Sequence, residues 1–549
     1  MRFSSICSVL FLLAIASNAQ TRKPAVAQAA MPLARPKLVV GIVVDQMRYD
    51  YLYRYYDKYT QGGFRRLMQE GFNCRNNHYH YAATYTGPGH AHIYSGSTPA
   101  LSGIVSNEWF DQGLGRPVYC TEDSTVQTVG NAFTTGKMSP RNLLVTTVTD
   151  QLKLVSPASK VVGIALKDRG AILPAGHAAN AAYWFDSRDG NWISSTFYMK
   201  DLPQWAKEFN NRQMAAGYMN QKWETLLPLD QYTESDPDDG PYEVSLPGEE
   251  KPVFPHSFAA DRGGKYEVLR TTPFGDLITK EFALAALKGE QMGRDNITDF
   301  LCVSFSTPDY VGHAFGPHSV EMEDTYLRLD RQLAEMLNTL DAYVGRGQYV
   351  VFLSADHGVA DIPGFMQQNR IPAGALTYGQ LREAMDGHLQ QVFGSGSYVR
   401  SYMNQQVYLN QQTLTEKKLS VAQVFDALKP FLLKQKAVLN VVSFHDMNRS
   451  LVPDYQAYLL KNVYMPRRSG DFYVVYEPGW FEGRPKGTTH GTLYNYDTHV
   501  PLLFYGWGVP AGETNRRTHI HDIAPTVAAL LRILEPNGCI GNPIVEIVK

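Results

Sequence analysis

Four short apolar runs in this chain each lead into a charged side chain that a buried strand could not itself carry. Leu38–Val44 runs directly into Asp45, Lys160–Leu166 into Lys167, and Asp299–Phe305 reaches Asp309 four residues on. Gln348–Leu353 leads into Asp356 and His357, and Val500–Tyr505 is a fifth run. Short apolar runs without alternation read as strands buried on both faces, the pattern of a parallel sheet. Helical patterns lie between and after them, at Met322–Val344 and His521–Leu534. The second repeats Ile523, Val527, Leu530, Leu531 and Leu534 on one face. Strands alternating with helices predict an α/β fold: an open, mostly parallel sheet flanked by helices. Ligands of such sheets bind beyond the carboxyl ends of the strands, where these charged groups would gather.

The chain begins like a secretory signal. Arg2 supplies the positive end, Cys7 to Ala16 the short apolar core and Ser17-Asn18-Ala19 the small-residue cut, expected after Ala19. The apolar core is too short for a membrane span, and no later segment offers one. A periplasmic or secreted protein is therefore expected. Residues 20–37, rich in Ala, Pro and Lys, read as a flexible lead-in, and 38–549 as one large domain. Stretches at about 185–270 and 362–480 interrupt the alternation and read as decorating insertions. Cleavage removes one arginine and no acid, leaving a net charge near −3, which gives no case for a nucleic-acid partner. Nothing in the sequence sets the oligomeric state, though a monomer fits. An oxidising compartment permits disulfides, and Cys74–Cys120 is the expected pair. Cys302, inside an apolar run, reads as a buried thiol, with Cys539 as its alternative partner.

Asp45, Asp309, His313, Asp356, His357 and His490 supply three carboxylates and three imidazoles. Such a set can hold two zinc ions with three protein ligands each, leaving open positions for a nucleophile and a substrate oxygen. The spacing of Asp309 and His313 lets both meet one metal from a helical turn or a tight loop. Taken singly, each residue has a plainer reading as a helix cap, a turn or a structural histidine. Thr84-Tyr-Thr86-Gly-Pro-Gly-His90 offers hydroxyls beside a helix start, where unfilled backbone N–H groups favour an anion. The residues alone do not separate Thr84 from Thr86.

Taken together, the Asp45, Thr86-Gly-Pro-Gly-His90, Asp309-Tyr-Val-Gly-His313, Asp356-His357-Gly and His490-Gly motifs resemble the alkaline phosphatase superfamily over residues 38 to about 535. Within it the chain looks most like the periplasmic, phosphate-irrepressible alkaline phosphatases. That resemblance implies one zinc held by Asp45, Asp356 and His357, and a second held by Asp309, His313 and His490. It implies Thr86 as nucleophile, forming a phosphothreonine, and Asn107, Lys167 and Arg169 as phosphoryl contacts. Phosphate monoesters are the implied substrates and inorganic phosphate a product. Phosphodiesterases and nucleotide pyrophosphatases of the superfamily share the metal ligands and a threonine, but typically lack the paired cations. A secreted binding protein on a disused enzyme scaffold is the remaining alternative.

Other signals carry less. Gly130 to Lys137 has five residues between its glycines where a phosphate-binding P-loop needs four. Asp236-Pro-Asp238-Asp239-Gly240 reads as a solvated acidic turn. The pairs His78/His80 and His90/His92 read as packed or capping.

Overall fold

The computed structural model describes residues 35–548 apart from 83, 259–264 and 378. The expected signal and nearly all of the lead-in lie outside the described residues. Ten strands form the main sheet: β1 Leu38–Val44, β2 Phe72–Cys74, β3 Thr128–Val129, β4 Val161–Ala165, β5 Ala181–Asp186, β6 Asn191–Ser195, β7 Asp299–Phe305, β8 Tyr349–Ser354, β9 Leu502–Gly506 and β10 Gly512–Thr514. Their order across the sheet is β10-β2-β9-β8-β1-β7-β4-β5-β6-β3. The five central strands, β8 through β5, run parallel. Every residue of β1, β7 and β8 is buried, which is why their sequences are mainly apolar without alternation.

The helices that matter for the site are α1 Thr86–Ser95, α2 Val148–Val155, α3 Asp168–Ala175, α4 Pro273–Gly289, α5 Thr307–Phe315, α6 Val320–Leu340 and α7 Ile523–Leu531. The Ser319 side chain caps α6 by accepting from Met322 N at 3.1 Å. The last turn of the expected Met322–Val344 helix loosens into a π turn at Asp341–Gly345.

Two expectations are corrected here. The run at Val500–Tyr505 does form a strand of the main sheet, but β9 runs antiparallel to both β8 and β2. Leu502 lies opposite Ser354, the last residue of β8, so the chain enters β9 at the carboxyl edge and must run back. A parallel strand there would need a crossover, and the sequence between His490 and Pro501 is too short for one. The second correction concerns the cysteines: Cys74, Cys120, Cys302 and Cys539 are all free thiols. Cys74 lies on β2, between β10 and β9, within the electrostatic reach of Glu546 and Arg516. Cys120 instead packs beside Gly87 and Arg169. Nearness to one sequence segment did not make them neighbours.

β5 and β6 extend the main sheet through residues 181–195, into the start of the first interrupting stretch. The second stretch contains a four-stranded antiparallel sheet of Val399–Met403, Gln406–Leu409, Phe472–Tyr476 and Val438–Ser443. It has an apolar core of its own, including Val407, Val424, Phe425, Leu428, Val441 and Val474. Among the described residues, no helix is long and apolar enough to cross a membrane.

Candidate active site

Adjacent strands β8, β1, β7 and β4 end in register, with Val44 opposite Phe305 and Val43 opposite Ser354. Their carboxyl ends therefore deliver side chains to one place. Asp45 follows β1, and its N–H donates to Phe305 O at 2.9 Å, prolonging the pairing by one residue. Asp356 and His357 follow β8. Lys167 and Arg169 begin α3 just past β4. Asp309 sits in the first turn of α5 and His313 one turn later, so both face the same side. Of the two geometries the spacing allowed, the helical turn is the one adopted.

Five of the six expected metal ligands fall into compact sets, and His313 reaches them only through Asp309. His313 Nε2 lies 3.1 Å and His490 Nε2 3.6 Å from Asp309 Oδ1. His357 Nε2 lies 3.6 Å from Asp45 Oδ1 and 3.5 Å from Asp356 Oδ2. Two ligand sets are compact enough to hold an ion: Asp45, Asp356 and His357, and Asp309, His357 and His490. His357 belongs to both because its ring stacks on His490 with centroids 3.4 Å apart.

Three features fit these residues to metal ions. Asp45 Oδ1, Asp356 Oδ2 and His357 Nε2 are buried without a hydrogen-bond partner, a costly arrangement unless something else engages them. All three imidazoles present Nδ1 to a backbone carbonyl: His313 to Thr488 at 2.8 Å, His490 to Thr84 at 2.7 Å and His357 to Gly358 at 2.9 Å. A carbonyl can only accept, so each Nδ1 carries a proton. At His313 burial lowers the pKa, but Asp309 outweighs it and raises it above the ordinary imidazole value. Burial, then the neighbouring His357, holds His490 well below the ordinary imidazole range. Burial lowers His357 as well, so both rings stay neutral and able to ligate.

Lys167 is wholly enclosed, its Nζ 2.7 Å from Asp45 Oδ2 and 2.5 Å from Asp309 Oδ2. Burial works against its charge, but Asp309 and Asp45 outweigh that and raise its pKa above the ordinary lysine value. The ammonium thus compensates one carboxylate from each ligand set. Asp45 itself is raised well above the carboxylate range, first by burial and then by Asp356.

The structure separates the two threonines that the residues alone left open. Thr84 Oγ1 donates to Thr492 O at 2.7 Å, while its carbonyl holds His490. Thr86 opens α1, and its Oγ1 lies 3.5 Å from Arg169 Nη2. Asn107 accepts from Gly87 N at 2.6 Å through its amide oxygen, leaving the amide NH2 to donate elsewhere. Arg169 is aimed by Tyr119, whose OH accepts from Nη1 at 3.0 Å and donates to Asp168 Oδ1 at 3.0 Å. Gly89 allows α1 to come this close, because a Cβ there would run into the carbonyl oxygen of Asp356.

Sequence reasoning missed several supporting residues. Gln46 is a non-glycine residue at φ +64°, a strained setting. Its N–H donates to Asp356 Oδ1 at 3.0 Å and its Nε2 to Asp309 Oδ1 at 2.6 Å, tying the two ligand sets together. His90 accounts for both its nitrogens, Nε2 against Ser304 Oγ at 2.8 Å and Nδ1 against Thr86 O at 2.9 Å. Its position one residue after Gly89 was the only signal for it, and that reads equally as packing. His92 is likewise held by Tyr81 OH and Ser102 Oγ.

The type I phosphodiesterase/nucleotide pyrophosphatase family matches residues 39–500. The chain belongs to that family, within the alkaline phosphatase superfamily. Alkaline phosphatase PafA of Elizabethkingia meningoseptica is 48% identical over 526 residues, covering 95% of this chain and 96% of the relative. Alkaline phosphatase PhoV of Synechococcus elongatus is 44% identical over 553 residues, with 100% of both chains covered. A Myroides odoratus protein named as a calcium-transporting ATPase is 47% identical over 527 residues, covering 95% of this chain and 96% of its own. The crystal structure of PafA superposes with a TM-score of 0.92 at 47% identity, covering 94% of this chain and all of that one. This protein is accordingly an enzyme of the alkaline phosphatase type.

Proposed function

We propose that this protein is a zinc-dependent phosphomonoesterase, exported from the cytoplasm, that works through a phosphothreonine on Thr86. The observation that carries the reading is the surroundings of the Thr86 hydroxyl. It opens a ten-residue helix and lies beside the Arg169 guanidinium, and Gly89 in the same first turn packs against the ligand residue Asp356. Asp45, Asp356 and His357 would hold one zinc, and Asp309, His313 and His490 a second. Bound zinc would supply Lewis acidity, which favours the alkoxide form of a hydroxyl and neutralises charge on phosphoryl oxygens.

The chain's own residues do the positioning. The Thr86 oxygen attacks phosphorus in line with the leaving oxygen, the P–O bond to the leaving group breaks, and the phosphoryl group passes to Thr86. Gly87 N and Gly89 N are already bonded, to Asn107 Oδ1 and Tyr85 O, and Pro88 has no N–H, so contacts to the phosphoryl oxygens fall to side chains. Arg169, held by Tyr119, and the Asn107 amide fix the group's orientation. Water then attacks the same phosphorus, releasing inorganic phosphate and restoring the threonine. PafA has also been solved with one threonine, one asparagine, one lysine and one arginine substituted together, the residue types grouped here as Thr86, Asn107, Lys167 and Arg169.

One experiment tests the whole reading. Nitrophenyl phosphate and its methyl diester are assayed before and after exhaustive chelation, with zinc added back. Chelation should abolish monoester turnover and zinc should restore it, with about two equivalents bound at the centre. Full activity in metal-free protein would defeat the zinc reading. A faster diester than monoester reaction would make the protein a phosphodiesterase. Fractionation of the producing cells tests export, and retention in the cytoplasm would overturn it.

A further inference from the structure

A second gathering of imidazoles lies where Thr518–His519 pairs in parallel with Asn77–His78. His519 and His521 stack with centroids 4.9 Å apart and planes 7° from parallel. His80 meets His521 edge-on, and His78 stacks on His499 with centroids 4.4 Å apart. One carboxylate faces this group. Asp522 Oδ1 lies 3.4 Å from His521 Nε2, and Oδ2 lies 4.0 Å from His519 Nδ1. None of these residues belongs to the candidate active site.

Five imidazoles around one carboxylate would repel one another if protonated. Burial comes first and mutual repulsion second in holding His521 down to about 3. His78 falls to about 3 for the same reasons, and His80 lies well below the ordinary range. His519, His521 and Asp522 each bring a possible ligand atom to one place, all within 4.8 Å of one another. We propose that His519, His521 and Asp522 bind a divalent metal ion of the zinc class, with His80 as a positioning residue.

The hydrogen bonding agrees with this assignment. His521 Nδ1 and His80 Nδ1 face each other at 2.6 Å, so one of them carries the shared proton. A metal on His521 Nε2 requires the proton on His521 Nδ1, donated to His80. That is the outer contact that orients most ligating histidines. Zinc bonds of about 2.0–2.1 Å in tetrahedral geometry separate ligand atoms by roughly 3.3 Å. The 3.4 Å contact has that spacing, while the 4.0 Å contact is to the carboxylate's other oxygen, so the three residues must close around a single ion. Two nitrogen donors favour zinc-class ions over calcium or magnesium. Asp522 accepts from His519 N and Asn542 N at 2.9 Å each, and a carboxylate oxygen has a second lone pair for the ion.

Such an ion would act as a clasp. The turn Ile520–Asp522 leads into α7 and packs on α1, the helix that Thr86 opens. Ile540 N donates to Gly96 O at 2.9 Å, at the opposite end of α1 from Thr86. The metal would fix the C-terminal segment against that end.

The test uses the processed full-length enzyme, desalted to remove loose metal and analysed for zinc. His519→Gln is the informative variant because His519 is partly exposed and belongs to none of the apolar clusters. It should hold about one zinc equivalent less than the parent, keep nitrophenyl phosphate kcat within about twofold, and unfold several degrees lower. His521→Gln should lose the same equivalent. Cobalt substitution should give the parent an absorption component that both variants lack. Unchanged zinc content in His519→Gln would overturn the proposal, and a lowered Tm with unchanged zinc would reduce the group to a hydrogen-bonded cluster. The count of zinc lost does not depend on turnover, so failure of the phosphatase reading would leave this result legible.

Discussion

The carboxyl edge of the main sheet and the antiparallel sheet of residues 399–476 treat their buried polar groups differently. At the edge, Asp45, Asp309, Asp356, His357 and Lys167 are all enclosed, and several of their polar atoms lack partners. In the antiparallel sheet the core is apolar, and its buried polar groups, such as Gln406 and Asp471, are hydrogen-bonded to backbone N–H groups. The two regions meet at a few bonds. A two-residue turn, Asn404-Gln405 at φ +54° and +63°, sends Gln405 Nε2 to Gly491 O at 2.8 Å, beside His490. Tyr494 OH donates to Tyr476 O at 2.6 Å. Buried charge without full pairing costs stability, so it persists where something other than folding retains it. The apolar insert repays its own ordering by burial and contributes to the site only through its rim.

The sharpest way to break this contrast is to remove one atom from the edge. Thr86→Ala should lower monoester kcat by three or more orders of magnitude with little change in zinc content, since the hydroxyl is not among the six protein ligands. Thr84→Val removes only a hydroxyl bonded to Thr492 O and should cost far less. A reversed pair of results would place the nucleophile two residues earlier. Acid trapping of the phosphorylated peptide locates it independently.

A smaller effect separates monoester recognition from metal support. A monoester dianion presents charge on three oxygens, and a diester replaces one with a neutral ester oxygen. Cations touching the oxygens particular to the monoester stabilise its transition state selectively. Each such contact is worth roughly 2–4 kcal/mol, or about two orders of magnitude. Arg169→Ala should therefore lower monoester kcat/KM by about 100-fold and diester hydrolysis much less. Lys167 is the harder case, because its ammonium touches Asp45 and Asp309. Selective loss in Lys167→Ala would give it a substrate role. Equal loss on both substrates, with reduced zinc, would assign it to the ligand carboxylates.

These regions also differed in how far the sequence could be read. The limits of β1 and β7 were legible to the residue, because strands buried on both faces are mainly apolar throughout and not alternating. The charged residues beyond them were legible for the same reason, each being the first that a buried run cannot hold. The partners of those residues were not. Thr84 O, Thr488 O and Gly358 O fix the histidine tautomers as backbone atoms, so no side-chain identity announces them. Gln46 bridges the two ligand sets from a backbone conformation that its residue type does not suggest. The direction of β9 escaped because an apolar run looks alike in either sense. The expected Cys74–Cys120 pair treated nearness in sequence to one segment as nearness in space. In the insert, shorter half-exposed strands such as Val399–Met403 alternate with helices and leave a weaker pattern.

The weakest expected effect on chemistry comes from the heart of the insert. Leu428 is fully buried on the helix Val421–Leu432, in the insert's own core and remote in the chain from every ligand. Leu428→Ala removes three methylene-sized groups from a packed interior and leaves a cavity that collapses only partly. That should destabilise the protein by about 2–5 kcal/mol. If the insert only supports the rim, kcat for nitrophenyl phosphate measured below the unfolding transition should stay within about twofold, and zinc content should not change. Thermal unfolding followed alongside activity decides the matter, because the two losses then occur at different temperatures or together. A fall in kcat of tenfold or more at a temperature where the variant is fully folded would show that the contrast is wrong. The bond from Gln405 to Gly491 would then have to transmit the core's packing to His490, and the insert would count as part of the catalytic machinery.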